Sequence, residues 1–424
     1  MRPTGSLITV FLAVLIDLIG FGIILPLLPF YAASFNASAL TIGFLYSIFS
    51  IAQLTFSPIW GSLSDRIGRR PVMLISTFGA SIAYVIFAFS NSLGWLFFSR
   101  LIAGVMGGNI SAAQAYVADV TTHKDRAKGM GMIGAAFGIG FAVGPAISTL
   151  LIHEKFLDFF HIADRFKFAI PGLFAAILSL LSFLFVLFQL PESVKTGGQD
   201  PKKIVRASIF SKQFWISLAQ EQKAAKSLFA MLMVSVFVLA FSQASLYSAF
   251  PIFCKFELGL DAHEVGMLFV YMGLIVVLVQ GGLLRIVVRK FGEEKLFFAG
   301  CIMMFVGFIL IPFASNKHYL ALTLCLMSFG GSLNGPTLNS LISQEADPSQ
   351  MGAVLGTAQG ISGLGRAIGP AWGGFLYDIN HRFPFIATAL LLIITIRAGF
   401  RLVALRRNHH RLNPIAASMS SLDE

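Results

Sequence analysis

The chain has 424 residues, 56% of them hydrophobic and only 12% charged, with a mean hydropathy of +0.79; soluble domains carry about 25% charged residues, so no water-soluble fold could hide this much apolar surface. Divided by the about 20 residues that cross a bilayer, the length gives roughly a dozen spans. A formal charge of +11 does not point to nucleic acid, because Lys and Arg fall in the short breaks between apolar runs, where cytoplasmic loops carry them, and Cys254, Cys301 and Cys325 have neither zinc nor disulfide spacing.

The first apolar run, 7–31, follows Arg2 but contains Asp17, Pro26 and Pro29 and lacks a small-residue cleavage pattern, so a retained span is expected rather than a signal peptide. Further apolar stretches lie at 42–61, 72–90, 94–118, 128–152 and 168–190, then at 226–252, 264–285, 295–314, 319–343, 352–378 and 383–404. Unbonded backbone groups are prohibitively costly in lipid, so runs of this length are helices. An even count puts both termini on one side. If that side is cytoplasmic, the inner segments hold 23 Lys and Arg against 6 outside, with Arg100 and Arg366 within spans, and the positive-inside rule fixes the orientation. The expected fold is an all-α membrane protein with twelve transmembrane helices. Six form a first half, 1–190, and six a second, 228–404, separated by a basic cytoplasmic linker, 191–227, and followed by a cytoplasmic tail, 405–424. Residues 204–220 of the linker mix aromatic and basic side chains like a short helix lying on an anionic leaflet, and 153–167 reads as an interfacial cap on the outside.

The halves resemble each other at one offset. Adding 225 carries Pro26 to Pro251, Gly131 to Gly356, Gly138 to Gly363, Gly140 to Gly365, Gly144 to Gly369 and Pro145 to Pro370. Parallel repeats of this kind enclose a central cavity reached alternately from each side.

Between the second and third spans stands Gly61-Ser-Leu-Ser-Asp65-Arg66-Ile-Gly68-Arg69-Arg70-Pro71, whose glycines permit a tight bend and whose charges belong at a membrane surface. It resembles, over ten positions, the G-x-L-x-D-R-x-G-R-R signature of the major facilitator superfamily. That resemblance implies a latch in which Asp65 faces the N-terminus of the eleventh span, Asp119 and Arg126 join the network, and the outward-open state is stabilised. A topological role for the basic residues is the alternative. The second half carries a partial copy, Gly282 through Arg285, Arg289, Lys290, Gly292 and Lys295, without a matching acid.

The fifth span, with Gly134, Gly138, Gly140, Gly144 and Pro145, spaces small residues so that another helix can approach closely. It is similar to the motif that marks exporters of this superfamily, where this helix packs against one of the second half and prevents leaks. Close packing alone is the alternative. Arg100-Leu-Ile-Ala-Gly104-Val-Met-Gly107-Gly108 resembles the arginine motif that drug and proton antiporters link to proton transfer, and an arginine inside a span is seldom decorative. Asp17 lies near the midplane of the first span, where a carboxyl can serve as a reversible proton carrier. The segment from Asp17 to Pro29 resembles the first span of the tetracycline-efflux branch. Proton coupling or substrate contact is one role for Asp17; a structural hydrogen bond is the other. The histidine and acid that tetracycline exporters carry in their eighth and ninth spans have no counterpart here.

Polar groups avoid lipid, so Asn109, Gln114, Tyr116, Gln243, Gln280, Asn334, Asn339 and Gln359 are candidate cavity contacts, with helix packing as the competing role. Arg366 is a second intramembrane cation that would meet an anionic group on a substrate, pair with Asp17, or snorkel. The resemblance implies a monomeric, proton-coupled exporter of a small amphipathic drug or metabolite in the plasma membrane, the inner membrane if the host is bacterial. It would be driven by the proton gradient without cofactor or metal and would not be an enzyme, since no clustered His, Asp, Ser or Cys at helical spacing appears. Uptake by proton symport or facilitation, and a transporter-like sensor, are the rivals.

Overall fold

A computed structural model describes residues 3–121, 123–163, 166–193, 225–345 and 351–412, without the side chains of 3–5, 123–128, 225–227, 351–353 and 406–412. Most of the linker, including the 204–220 segment, and nearly all of the tail lie outside the described residues. What is described is helical, with no strand.

The first half contains α1 (Pro3–Ala33), α2 (Ala39–Ile67), α3 (Arg69–Ala88), α4 (Leu93–Val105), α5 (Asn109–Val120), α6 (His123–Leu151), α7 (Glu154–Phe159) and α8 (Ala169–Gln189). The second contains α9 (Ala225–Glu257), α10 (Ala262–Leu278), α11 (Leu284–Phe291), α12 (Glu293–Leu310), α13 (Lys317–Glu345), α14 (Met351–Ile379) and α15 (Phe383–Leu412). Among the described residues ten stretches are long and apolar enough to cross a membrane by length and composition, α4 with α5 and α10 with α11 each counting as one. Helices α13 and α14 are 29 residues each, but Gly, Ser, Thr, Asn and Gln dilute their hydropathy.

The repeat seen in sequence reappears in helix positions: Ala39 and Ala262 open α2 and α10, Arg69 and Glu293 open α3 and α12, and Leu93 and Lys317 open α4 and α13. In each half one membrane-length stretch is interrupted. The fourth span breaks at Met106–Gly108, where the missing Cβ of Gly108 admits the Trp60 ring and that of Gly107 admits Gln53. Trp60 Nε1 donates to Val105 O at 2.5 Å, satisfying a carbonyl that the break releases. The eighth span bulges into a π-turn at Val279–Leu283, between α10 and α11, a distortion that often accompanies a functional site.

Lipid offers no hydrophobic force between helices, so association rests on dispersion and close backbone approach. At the end of the bundle away from the Gly61–Arg70 loop, one apolar core runs through both halves, from Ile24, Leu28 and Tyr46 to Phe250, Phe253 and Val265. Towards the loop end the core divides. Val10, Val14, Met73 and Tyr116 belong to one cluster and Leu232, Phe297, Leu338 and Ile342 to another.

Two seams close the far end. Along the first, a Cβ on Gly43 or Gly374 of the facing helices α2 and α14 would strike backbone of the other, at Pro370 and Ala39 respectively, and Ala371 N donates to Ser47 Oγ at 3.2 Å. Asp378, at the end of α14, accepts from Ala39 N and Leu40 N at 3.0 Å each and so caps α2 from across the interface. Along the second seam, Gly266 of α10 meets Thr149 of α6, Gly273 meets Ala142, and His263 Nδ1 donates to Thr149 O at 3.0 Å while its ring stands edge-on to His153, 4.5 Å between centroids. Both seams loosen towards the loop end: the space beside Gly138 reaches 3.9 Å to Gln280, and a Cβ on Gly131, Gly134 or Gly356 would meet nothing within 4 Å. The two halves therefore enclose a cleft that opens at the loop end.

Candidate functional site

The loop after α2 folds as it does because Gly68 sits at φ 105°, ψ 158°, a region open essentially to glycine alone. The turn sends Arg69 back into the protein, where it is buried. It pairs with Asp65 and with Asp119 Oδ2 at 3.0 Å, and donates to Ser64 Oγ at 2.6 Å. Asp119 also accepts from Ser193 Oγ at 3.1 Å. Arg70 Nη2 donates to Leu187 O at 2.6 Å, and Arg66 is exposed.

One participant escaped the sequence reading. Glu192, just past α8, accepts from Arg69 N at 2.9 Å and Arg70 N at 3.2 Å, capping the otherwise uncapped start of α3. The one hint was an acid directly after the sixth apolar run. Asp65 takes Arg69 of its own loop as its partner, and no described residue of the second half reaches it. Residues 346–350 and the side chains of 351–353, at the start of the eleventh span, lie outside the described residues, and so does the expected contact with Asp65. The Arg126 side chain lies outside the described residues.

In the fifth span, the motif glycines face α1. A Cβ on Gly140 would stand 2.6 Å from Leu18 Cβ, and one on Gly144 would stand 2.6 Å from Gly22 Cα, while Pro145 borders Gly22. The contact with the second half is made instead by Ala142 and Thr149, and Gly138 is nearly open.

Close packing of α6 on α1 fixes the neighbourhood of Asp17. Asn109, the first residue after the break in the fourth span, donates through Nδ2 to Asp17 Oδ2. Asp17 Oδ1 is buried without a hydrogen-bond partner. One turn further along α1, the missing Cβ of Gly20 makes room for the Tyr84 ring. Arg100, 2% exposed, lies over the rings of Tyr84 and Phe87 at 5.9 and 5.1 Å, a cation–π arrangement that leaves Nε and Nη2 without hydrogen-bond acceptors. Asp17, Asn109, Tyr84 and Arg100 thus form one polar cluster in the first half.

The cleft has an aromatic roof drawn from both halves. Phe141 of α6 stacks on Tyr247 of α9 at 6.3 Å and on Phe137 at 6.4 Å, meets Phe21 edge-on at 5.8 Å, and Phe21 meets Phe49 at 5.1 Å. Gln243 and Tyr247, one turn apart on α9, are both half-buried. Gln280, in the π-turn, is exposed and donates to Ser332 O at 3.4 Å. Gln114 is half-buried, and Asn339 and Gln359 are exposed. Two candidates do not line the cleft. Tyr116 is buried in the first-half core, its hydroxyl donating to Pro191 O at 3.1 Å. Asn334 is buried between α12 and α13, donating to Met304 Sδ at 3.2 Å. Both are polar groups consumed by helix packing, which sequence position alone does not distinguish from cavity lining. Arg366 is exposed and its Nη1 donates to Ser362 Oγ at 2.7 Å; it does not pair with Asp17.

The sequence profile of the Major Facilitator Superfamily matches residues 10–370 and, overlapping, 232–419. The chain is 27% identical over 387 residues to multidrug resistance protein 2 of Bacillus subtilis (strain 168), covering 90% of this chain and 91% of that one. It is 28% identical over 373 residues to the class C tetracycline resistance protein of Escherichia coli, covering 87% and 89%. The structure of the human organic anion transporter MFSD10 superposes with a TM-score of 0.69 at 24% identity, covering 94% of this chain and 100% of that one. With a split bundle, a loop of the expected residues and a profile that spans nearly the whole chain, the protein belongs to the Major Facilitator Superfamily.

Proposed function

We propose that this chain is a proton-coupled exporter of a small amphipathic drug or metabolite, with twelve membrane crossings, both termini cytoplasmic, in the plasma membrane. The observation that carries the reading is Asp17. A lone carboxyl deep in the first half has one oxygen held by Asn109 and the other buried and unbonded, which is where a transported proton would reside. Ligand and proton drive the cycle only through different affinities for its two states. In the state described here the cleft opens at the loop end, which the basic loops assign to the cytoplasm. The working unit is a monomer with no cofactor, powered by the proton gradient. Similarity to drug resistance proteins supports export over uptake.

The test is proton release from acidified everted vesicles on adding candidate compounds, tetracycline among them. Substrate-dependent release by the parent protein, abolished in Asp17→Asn, is the expected outcome. Release that persists in the folded Asp17→Asn variant would remove Asp17 from the coupling role, and accumulation in the opposite direction would favour uptake.

A further inference from the structure

Arg366 stands where a transported molecule would meet it, and its charge is unanswered. It sits on α14 between the helix's contacts with α9, through Gly365 and Gly369, and its contacts with α2, through Gly363 and Pro370. At about 100° per residue, Ser362 and Gln359 share its side of the helix, and exposed Ile368, Phe375 and Ile379 lie on the opposite side. The apolar side is the one suited to lipid. The side chain is accessible on a side of α14 flanked by α9 and α2, which describes a group lining a cleft. Its hydrogen bond is to the neutral Ser362 hydroxyl, and no described acid forms an ion pair with it. A guanidinium inside a membrane protein is costly unless an anion answers it.

Its height in the cleft is informative. Backbone of α14 and α2 meets as far down as Pro370, one turn away, whereas Gly363 beyond it meets only the end of the Leu54 side chain, so Arg366 lies just below the backbone-to-backbone closure. Helix α9 runs beside α14 in the same direction, Gly365 against Phe237 and Gly373 against Ser245 and Ser248. Tyr247, part of the aromatic roof, therefore lies about 10 Å nearer the closed end, from the helical rise. We infer that Arg366 and Ser362 form a docking point for the carboxylate or sulfonate of an aromatic organic anion, whose ring packs under Phe141 and Tyr247. Arg100, buried without an acid partner, adds to the positive field. This inference rests on the transporter reading but not on the direction of transport.

Saturable binding measured on the purified protein in lipid nanodiscs separates the two. The probes are 1-naphthoate, uncharged 1-naphthamide and cationic 1-naphthylmethylamine, which share one ring system. The parent protein is expected to bind naphthoate at least tenfold more tightly than the amide, and the amine least. Arg366→Gln should erase the preference by weakening naphthoate binding far more than amide binding, and Arg366→Lys should restore part of it, since a lysine offers the charge without the planar fork. Equal affinities for anion and amide in the parent protein, no saturable naphthoate binding, or a preference that survives Arg366→Gln would each overturn the assignment. Failure of export in vesicles alongside anion-selective binding would count against the exporter reading and leave the anion site standing.

Discussion

Removing Asp378 should open the far end of the bundle. Its carboxylate accepts two backbone amides at 3.0 Å at the start of α2, and one of these bonds is part-buried. A hydrogen bond to a charged group contributes about 1.5–3 kcal/mol when shielded, the exposed one contributes little, and the helix terminus adds a few tenths. Asp378→Ala should therefore cost the closed seam about 2 kcal/mol, or roughly 30-fold in the closed-to-open ratio at 1.36 kcal/mol per tenfold. Asp378→Asn retains one acceptor and should cost about half as much, roughly fivefold. The reporter is Ser47→Cys, buried in that seam, labelled from the far face by a membrane-impermeant maleimide, with labelling of the parent protein subtracted. If reclosing is fast, the labelling rate follows the open population. A change below twofold in Asp378→Ala would refute the idea that this cap holds the seam.

Three further outcomes follow from the packing. Gly68→Ala should lower thermal stability by about 2 kcal/mol, because the backbone there excludes a Cβ and the Glu192 carboxylate occupies its space; Gly292→Ala, at φ 80° but with its nearest neighbour 3.4 Å away, should cost less, and equal unfolding midpoints would contradict this. Arg69→Gln, which strands Asp65 and Asp119, should lower the unfolding midpoint in detergent by several degrees, whereas Arg66→Gln at an exposed site should leave it within a degree. Gly144→Val should separate α1 from α6 at a cost of about 1–3 kcal/mol and reduce transport, while Gly134→Val, with open space around it, should be tolerated; similar transport by the two would argue against the crossing described here.

Local chemistry was readable in the sequence. The Gly61–Arg70 loop declares itself because its residues are contiguous, and the span limits follow from hydropathy. Only α13 and α14 blur, since their small and polar residues serve helix contacts. Relations across the fold were hidden. Glu192 and Asp378 each cap a helix 123 and 338 residues away in sequence, and no periodicity marks a carboxylate as a cap at that distance. Tyr116 and Asn334 show the converse: a polar residue inside a span signals a partner, and the partner here is another helix rather than a solute.

Two of the three positive-φ glycines among the described residues, Gly68 and Gly292, lie at equivalent places in the two halves. After the first comes Arg69, bound to Asp119. After the second comes Glu293, which accepts from Ser340 Oγ at 2.7 Å and Gln344 Nε2 at 2.6 Å. Gln344 occupies the place that Asp119 holds in the first half. What duplication kept, then, was the backbone bend and the habit of tying one helix start to the end of the following span. The charge at the helix start inverted, from Arg69 to Glu293, and its partner changed from the carboxylate of Asp119 to the neutral amide of Gln344, so an ion pair in one half is answered by a hydrogen bond to a lone charge in the other.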